Sequence, residues 1–314
     1  MPFLPADRFP LPDSPVWLRG GHAQTLYAKT LQPPPPRYRR ELLPDSYGED
    51  VTAYDFVDAA DADAPLVVLF HGLEGSSRSH YATALMHAVH AHGWHGAVAH
   101  FRSCGGVQSR RLYHSGDTRE IAHTLALLNS RYRRVYAAGV SLGGNALAKY
   151  LGEQGEQAQV CAAAAVSAPL DLPNAAEALE HGLSRLLYTP YFLHTLKHKV
   201  PQPPQKCRSL GEFDNTYTAP FHGFADKHDY YARAAAKPYL PHIRRPTLLL
   251  NARNDPFLPA HFLPQPHEVS EQVYLMQPPH GGHCGFVSGS GRGHLRWLPE
   301  TLLKFFEWAG KSAL

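Results

Sequence analysis

The sequence predicts an α/β fold, with a mostly parallel central sheet flanked by helices and an inserted, largely helical cap. Short apolar runs alternate along the chain with amphipathic runs of helical length, the pattern of parallel strands joined by crossover helices. In the segment Val135–Tyr150 an apolar run of strand length, a glycine-bounded turn and a helical run follow one another directly. We expect the sheet to be organised around this segment.

The composition is that of a globular protein without a strong charge. The 314 residues are 44% hydrophobic, which is enough apolar material for a globular core. The formal net charge of +3 is small, so the charge does not favour nucleic acid as a partner. No apolar run is long enough for an integral membrane segment, and the N-terminus lacks a signal-peptide pattern. The four cysteines are isolated, which predicts reduced thiols and a cytoplasmic location. The composition leaves the oligomeric state open.

The N-terminal residues 1–36 are rich in proline and end in four consecutive prolines. Proline lacks a backbone donor and disfavours helix interiors, so we expect an irregular arm packed on the core rather than a helix. The next two segments, Tyr38–Pro44 and Asp50–Val57, have extended patterning on either side of a turn. They predict a β-hairpin.

The remaining elements follow from apolar runs and periodicity. Strands are predicted at Pro65–Phe70, His95–Phe101, Val135–Ala138, Val160–Ala165, Pro246–Asn251 and Gln272–Met276. Helices are predicted at Tyr81–His92, Thr118–Asn129, Ala175–Leu187, Phe224–Ala236 and Leu298–Trp308. The alternation stops after residue 169 and resumes after 240. We therefore expect a core of residues 37–169 and 241–314, with a cap insertion at 170–240.

The turn Gly139-Val140-Ser141-Leu142-Gly143 places a serine between a strand and a helix. Glycine two residues on either side is what a sharp nucleophile elbow requires, because side chains there would press on neighbouring backbone. The helix that follows favours negative charge at its start. Ser141 is therefore a candidate catalytic nucleophile; the alternative is a glycine-rich turn with an incidental serine.

A serine nucleophile needs a base and an acid that orients the base. After Ser141, the two predicted strands beyond the insertion are followed by Asp255 and by a loop that contains His280 and His283. The order of serine, acid and histidine matches a hydrolase triad. Asp171 is a rival acid, because it also follows a predicted strand.

An acyl-transfer site also needs backbone donors for the oxyanion. One is expected from the residue after the nucleophile, Leu142, and the other from the loop after the first parallel strand. That loop begins His71-Gly72-Leu73, and we select the N–H of Leu73. The alternative is a plain glycine turn.

Other residues have weaker assignments, and no cofactor or metal is expected. Among the 21 histidines, His194 and His198 have the helical spacing of a metal clamp, although a polar helix face is the preferred explanation. The segment Leu186–Phe192 either lines an acyl channel or only covers the core. Arg102 and Arg110 either meet an anionic headgroup or are ordinary surface arginines.

Several motifs spread over nearly the whole chain resemble one known family. They are GGHAQT (20–25), HGLEGSS (71–77), FRSCGG (101–106), YHSGDT (113–118), GVSLGGNALAKYLGE (139–153), EFDN (212–215), DYY (229–231), NDP (254–256) and GGHCGF (281–286). This set is similar to the YheT-like group of α/β-hydrolases, bacterial esterases related to the mammalian ABHD group of lipid-acting hydrolases.

The resemblance implies an α/β-hydrolase fold and selects between the alternatives above. It implies that His283 is the base rather than His280, and that Asp255 is the acid rather than Asp171. Ser103 stands where the family often has glycine, which leaves the conformation of that loop open. The activity implied is hydrolysis of esters, mostly with short to medium acyl chains.

The expected function is therefore that of a serine hydrolase that cleaves carboxylic esters, acylglycerols and other lipids included, through an acyl-enzyme. The expected partner is a small-molecule ester, and transient contact of an apolar cap surface with a membrane is compatible with this function. A thioesterase, acyltransferase or perhydrolase with the same triad is the alternative. A non-catalytic binding protein on a hydrolase scaffold is a further one.

Overall fold

One mixed sheet forms the centre of the molecule. The computed structural model describes residue 4, residues 7–200 and residues 205–312. Its strands are β1 (Arg39–Pro44), β2 (Val51–Val57), β3 (Leu66–Phe70), β4 (His95–Ala99), β5 (Val135–Val140), β6 (Ala162–Val166), β7 (Thr247–Leu250) and β8 (Val273–Met276). Within the described residues they form an eight-stranded sheet in the order β1-β2-β4-β3-β5-β6-β7-β8. β2 is antiparallel to β1 and to β4, and the other pairs are parallel, so the predicted hairpin and mostly parallel sheet are confirmed.

The strand register places the candidate loops at one edge of the sheet. Phe70, at the end of β3, pairs with Gly139 in β5, and Leu250, at the end of β7, pairs with Met276 at the end of β8. Carboxyl ends of parallel strands meet at the same edge, which is where open α/β sheets bind ligands. The loops after these strands therefore converge on the turn that holds Ser141.

Helices cover both faces of the sheet. They are α1 (Gly21–Tyr27), α2 (His80–Ala91), α3 (Thr118–Asn129), α4 (Leu142–Gln154), α5 (Leu172–Glu180), α6 (Gly182–Leu187), α7 (Thr189–Leu196), α8 (Leu210–Phe213), α9 (Ala219–Phe221), α10 (Lys227–Ala234) and α11 (Trp297–Ser312). Helices α3 and α4 pack on one face, where Leu125 and Leu147 join the main apolar cluster. Helices α2 and α11 pack on the other, through Met86 and Phe305. Burial of these faces supplies the main stabilisation of the fold.

The N-terminal arm corrects one prediction. Within residues 1–36 the chain forms α1, preceded by a 3₁₀ turn at Val16–Leu18 and followed by another at Ala28–Leu31. The expectation of an irregular arm was wrong because the prolines lie towards the two ends of the arm, and none stands between residues 16 and 32. Gln24 and Thr25 of α1 are buried against the core.

The inserted segment is helical, as predicted, but it is more broken than the sequence suggested. The single helix predicted at Ala175–Leu187 is two helices, α5 and α6, because His181 is extended and Gly182 has a positive φ of 55°. Helices α7, α8 and α9 were not predicted, since each is too short to show a clear period. A π-helical turn, Asp214–Thr218, lies between α8 and α9. We propose residues 170–240 as a cap on a core of residues 37–169 and 241–314.

Candidate active site

Ser141 lies at the tip of a strained turn between β5 and α4. Its backbone has φ 53° and ψ −120°, a conformation that non-glycine residues rarely adopt. Its N–H donates to the carbonyl of Val166 at 2.8 Å, and its carbonyl accepts the N–H of Asn145 at 3.0 Å. The turn is thus held from the neighbouring strand and by the first turn of α4.

Two glycines make this turn sterically possible. A Cβ added to Gly139 would lie 2.4 Å from the carbonyl oxygen of Gly143, and one added to Gly143 would lie 2.4 Å from that of Phe70. Both distances are far below van der Waals contact and both involve backbone. The glycines flanking Ser141 are therefore required by close packing, which confirms the steric interpretation of the sequence pattern.

The structure brings Ser141 into line with His283 and Asp255. His283 Nε2 lies 2.9 Å from Ser141 Oγ, and His283 Nδ1 lies 3.1 Å and 3.0 Å from the two carboxylate oxygens of Asp255. Asp255 and His283 are buried, at 4% and 8% exposure. In the neutral ring, Nδ1–H therefore donates to Asp255, which leaves Nε2 to accept the hydroxyl proton of Ser141.

The surroundings of His283 favour its positive charge. Burial acts to lower its pKa, but the charge of Asp255 acts against burial, and the pKa lies above the ordinary histidine range. The ring stacks on Phe257, with centroids 3.8 Å apart and planes 14° apart. The N–H of Phe257 donates to Asp255 Oδ1 at 2.8 Å, so one short loop orients both the acid and the base.

The rival residues lie elsewhere. Asp171 begins α5, where its side chain accepts the N–H of Asn174, and it lies 3.6 Å from Lys237. His280 Nδ1 is buried without a hydrogen-bond partner in the part of the chain that is described. Within the described residues, neither forms a hydrogen bond or an ion pair with Ser141 or His283. The geometry therefore agrees with the choice of Asp255 and His283.

The loop after β3, His71–Gly75, is here called the oxyanion loop. The N–H of Gly72 donates to the Tyr81 hydroxyl at 3.0 Å, that of Glu74 to the Tyr113 hydroxyl at 2.8 Å, and that of Gly75 to the carbonyl of Gly72 at 2.9 Å. Among the described residues, the N–H of Leu73 has no acceptor. This is the arrangement expected of a donor reserved for a ligand.

His71 gives this loop further rigidity. Burial lowers its pKa to about 3, so the ring is neutral. Its Nε2 accepts the N–H of Phe101 at 3.2 Å, which leaves Nδ1–H to donate to the carbonyl of Gly72 at 2.8 Å. Leu142, the second candidate donor, is the first residue of α4, and the opening N–H groups of a helix have no intrahelical acceptor.

The N-terminal helix α1 supports the histidine loop, a role that the motif GGHAQT did not reveal from sequence alone. Thr25 Oγ1 accepts the N–H of His283 at 2.8 Å and donates to the carbonyl of Gly21 at 2.7 Å. Gln24 Oε1 accepts the N–H of Val287 at 3.0 Å. The sequence signal was the motif itself, in the proline-free stretch of the arm, and only the tertiary structure shows what Gln24 and Thr25 contact.

Ser141 lies between two spaces. The inner cavity is walled mainly by apolar side chains of the inserted helices. The outer groove lies between α1, the oxyanion loop and helices α6 and α7. Ser141, Leu73, Phe192 and Phe257 border both spaces. The inner cavity is further lined by Leu112, Leu172, Ala175, Ala176, Leu179, Leu196, Leu210 and Phe213.

The predicted acyl-channel segment, Leu186–Phe192, is divided between these spaces. Phe192 borders the inner cavity, whereas Leu187, Tyr188 and Tyr191 border only the outer groove. Leu186 is 72% exposed to solvent. The walls of the inner cavity come instead mostly from α5, α8 and neighbouring elements, which the apolar pattern of the sequence did not distinguish from ordinary core.

Two arginines and a serine in the loop after β4 have different environments. Arg102 is 1% exposed and pairs with the buried carboxylates of Asp117 and Glu120, so it is neither a headgroup contact nor an ordinary surface arginine. Arg110 is exposed, and its backbone N–H donates to Asp50 at 2.7 Å. Ser103 has a positive φ of 59°, the conformation that glycine adopts freely.

The metal alternative finds no support in the side-chain arrangement. His194 lies in α7 and His198 beyond its end, with ring centroids 5.4 Å apart and nearly perpendicular planes. Among the described residues, no group of three or more histidine, cysteine, aspartate or glutamate side chains is arranged to hold a metal ion. No helix in the described ranges is both long and apolar enough to cross a membrane.

Comparison with known proteins gives the same class as the fold and the site. Residues 65–290 match the family of the alpha/beta hydrolase fold. YheT of Escherichia coli (strain K12), a candidate esterase by name, is 37% identical over 301 residues, which cover 87% of this chain and 86% of that protein. The monoacylglycerol lipase of Saccharomyces cerevisiae is 30% identical over 274 residues, 79% of this chain and 60% of that protein. The chain therefore belongs to the α/β-hydrolase family and, within it, to the YheT-like group.

A solved structure supports the fold independently of sequence. The esterase Pf2001 of Pyrococcus furiosus superposes with a TM-score of 0.54 at 15% identity, over 88% of this chain and 90% of that one. At this identity the likeness concerns the fold alone. It confirms the α/β-hydrolase architecture.

Proposed function

We propose that the protein is a serine hydrolase that cleaves carboxylic esters through an acyl-enzyme on Ser141. Its enzyme class is that of the carboxylic ester hydrolases, the class to which its named relatives belong. The observation that supports the residue assignment best is the unbroken line from Asp255 through His283 to Ser141, with contacts of 3.0 Å and 2.9 Å. No cofactor is part of the proposal.

The first half-reaction forms the acyl-enzyme. Ser141 Oγ attacks the ester carbonyl carbon while His283 Nε2 takes the hydroxyl proton, and Asp255 stabilises the imidazolium. The carbonyl oxygen becomes an oxyanion that accepts the N–H groups of Leu73 and Leu142. The carbon–oxygen bond to the alcohol then breaks, and His283 returns its proton to the leaving alkoxide.

The second half-reaction releases the acid. Water attacks the acyl carbon as His283 takes one of its protons, and the oxyanion forms again between the same two donors. The bond to Ser141 Oγ breaks, and His283 protonates that oxygen. The products are one carboxylic acid and the regenerated hydrolase.

The two spaces beside Ser141 suggest how an ester is oriented. The inner cavity is apolar, so it suits the acyl chain, and the outer groove is wider and more polar, so it suits the alcohol. We propose short- to medium-chain acyl esters as substrates, with acylglycerols and other lipids among them. The yeast relative is named for a monoacylglycerol substrate.

The rim of the outer groove fits transient contact with an anionic lipid surface. Leu183, Leu186 and Leu187 of α6 are 58%, 72% and 41% exposed, and Tyr191, four residues after Leu187, is 52% exposed. Residues 182–196 contain Arg185 and no carboxylate, a combination that suits apolar insertion beside anionic headgroups. Leu186→Ser should lower co-sedimentation with phosphatidylglycerol vesicles, whereas equal sedimentation of the variant and the parent protein would contradict this contact.

The proposed cellular location is the cytoplasm. All four cysteines are free, and Cys104 and Cys284 are buried. Free thiols of this kind suit a reducing compartment. Fractionation of cells that produce the protein tests this, and recovery in an extracytoplasmic fraction would contradict it.

The proposed function is tested by turnover on a series of substrates. Ser141→Ala should abolish hydrolysis of p-nitrophenyl acetate, butyrate and octanoate while the protein stays folded, and Ser130→Ala on the surface should match the parent protein. An alanine variant that keeps its rate would disprove the nucleophile. Faster turnover of acyl-CoA than of oxygen esters would favour the thioesterase alternative, and absence of turnover on every substrate would favour the binding scaffold.

A further inference from the structure

A largely buried ion pair joins the oxyanion loop to the inserted segment, and the proposed mechanism does not use it. Glu74 of this loop has a positive φ of 56°, which is uncommon for a side-chain-bearing residue. Its N–H donates to the Tyr113 hydroxyl at 2.8 Å, and the same hydroxyl donates to Glu74 Oε1 at 2.8 Å. The side chain of Glu74 is only 5% exposed. A strained backbone of this kind persists only where neighbouring groups hold it in place.

Lys199 reaches this carboxylate from the inserted segment, 125 residues away in sequence. Its Nζ lies 2.6 Å from Glu74 Oε1 and 3.0 Å from Cys104 Sγ. It also lies 5.3 Å from the centre of the Tyr113 ring, within range of a cation–π contact. The Lys199 side chain is 16% exposed and borders the inner cavity beside Ser141.

The local electrostatics keep Lys199 charged. Burial acts to lower its pKa, but Cys104 and Glu74 outweigh burial and raise it. Removing one member of a buried ion pair leaves the other charge without a partner in a poorly solvated place, which is strongly unfavourable. Loss of Lys199 should therefore drive the Glu74 side chain out of its present position.

The position of Glu74 matters because it follows Leu73 directly. The N–H groups of Gly72, Glu74 and Gly75 are each held by an acceptor. The direction of the Leu73 N–H thus depends on how the peptides on both sides are held. On the side of Glu74, the loop is held by the bond from the Gly75 N–H to the Gly72 carbonyl and by the contacts of Glu74 with Tyr113 and Lys199.

We propose that Glu74 and Lys199 are positioning residues for the oxyanion donor. The lysine of the inserted segment holds the carboxylate, and the carboxylate together with Tyr113 holds the loop so that the Leu73 N–H faces the reacting carbonyl oxygen. This inference rests on the proposed function, since it concerns a donor of the same reaction. It assigns the inserted helices a part in the rate of the chemical step, in addition to enclosing the substrate.

The test compares Lys199→Met and Glu74→Gln with the parent enzyme. Misplacement of an oxyanion donor lowers transition-state stabilisation, so kcat should fall roughly 10- to 100-fold with little change in KM. The fall should be the same for acetyl and octanoyl esters, because the oxyanion is common to both. The rate of Ser141 modification by a fluorophosphonate should fall in parallel, and Lys199→Arg should restore most of the loss.

Lys149→Met is the matched control. Lys149 also forms a largely buried ion pair, with Glu153, and lies 4.7 Å from the centre of the Tyr239 ring, but it stands two turns along α4 from Ser141. Lys149→Met should leave kcat within about twofold, since an ion pair this far from Ser141 acts on stability rather than on the chemical step.

Three results would overturn the inference. They are an unchanged kcat in folded Lys199→Met and Glu74→Gln, an effect confined to KM of the octanoyl ester, and a loss of kcat in Lys149→Met of the same size. Folding of each variant is checked by near-UV circular dichroism and thermal unfolding, and Glu74→Gln supplies the answer if Lys199→Met unfolds. Failure of the proposed function itself is separate, because Ser141→Ala would then keep its turnover.

Discussion

The two halves of the site are built in different ways. The half contributed by the core consists of loops after strands, in which Ser141, His283 and Asp255 are joined by directed hydrogen bonds of 2.9 to 3.1 Å. The half contributed by the inserted helices presents mostly apolar walls to the inner cavity. Its polar contact with the oxyanion loop runs through Lys199 and Glu74.

This difference separates chemistry from selectivity. Hydrogen bonds fix distance and direction, so small changes in the core half should affect every substrate alike. Apolar walls fix only shape and volume, so changes in the inserted half should affect substrates according to acyl size. The Glu74–Lys199 pair is the expected exception, since it connects the two halves.

The largest effect is expected at Asp255. Asp255→Asn keeps the shape of the side chain but removes the charge that favours the productive tautomer and the imidazolium, so kcat should fall on the order of 10³- to 10⁴-fold for all acyl chains. Steady-state kinetics on acetyl and octanoyl esters measure it. The matched variant is Asp171→Asn, which should stay within about threefold because Asp171 caps α5 and lies near Lys237, without a contact to Ser141 or His283.

The same variant has a consequence for pH dependence. In the proposed mechanism His283 acts as a base, which requires the neutral ring, so kcat/KM should rise as the pH rises through its pKa, which Asp255 holds above the ordinary range. Removing the charge of Asp255 lowers that pKa, so the acid limb of the residual activity should move to lower pH. A limb that stays in place would contradict the assigned role of Asp255.

An intermediate effect is expected from filling the inner cavity. Ala176 of α5 borders this cavity, and Ala176→Phe should lower kcat/KM for octanoate on the order of 10- to 100-fold while acetate changes little. Ala178→Phe, on the same helix but outside the lining, is the control. Equal losses on both esters would show that the acyl chain does not use this cavity.

The smallest effect is expected at the support of the histidine loop. Thr25→Val removes the acceptor of the His283 N–H and keeps the side-chain shape, so kcat should fall roughly tenfold and the protein should lose about 1–3 kcal/mol of stability. Thr30→Val, whose hydroxyl bonds only the carbonyl of Tyr27 on the surface, is the control. A Thr25 variant with full activity would limit α1 to a structural role.

The sequence predicted the core half well because its signals are local. Buried parallel strands are continuous apolar runs, so β3 and β5 begin within one residue of their predicted starts. The Ser141 turn can be recognised in the sequence from the two flanking glycines, which close contacts with neighbouring backbone require. Asp255 and His283 follow strands in the order that the mechanism demands, although the contacts of His283 with Asp255 and with Ser141 depend on the sheet register and appear only in the structure.

The other regions depend on tertiary contacts that a sequence does not display. The cap helices are short and apolar on several sides, so their breaks at His181 and Gly182 had no periodic signal. From the sequence alone, an arginine such as Arg102 is expected at the surface. Only the fold shows that the carboxylates of Asp117 and Glu120 neutralise its charge in the interior. The prediction of an irregular arm was wrong because it rested on the proline content of residues 1–36 as a whole. The proline-free stretch within them forms α1.

The most direct test of the central claim is to find the acyl group on the protein. A p-nitrophenyl ester is mixed with the enzyme, quenched in acid within milliseconds, and the protein is digested and examined by mass spectrometry. We predict one acyl group on the peptide that contains Ser141, an initial burst of about one p-nitrophenolate per chain, and neither signal in Ser141→Ala. Turnover with the acyl group on another residue, or an unchanged burst in Ser141→Ala, would contradict the account.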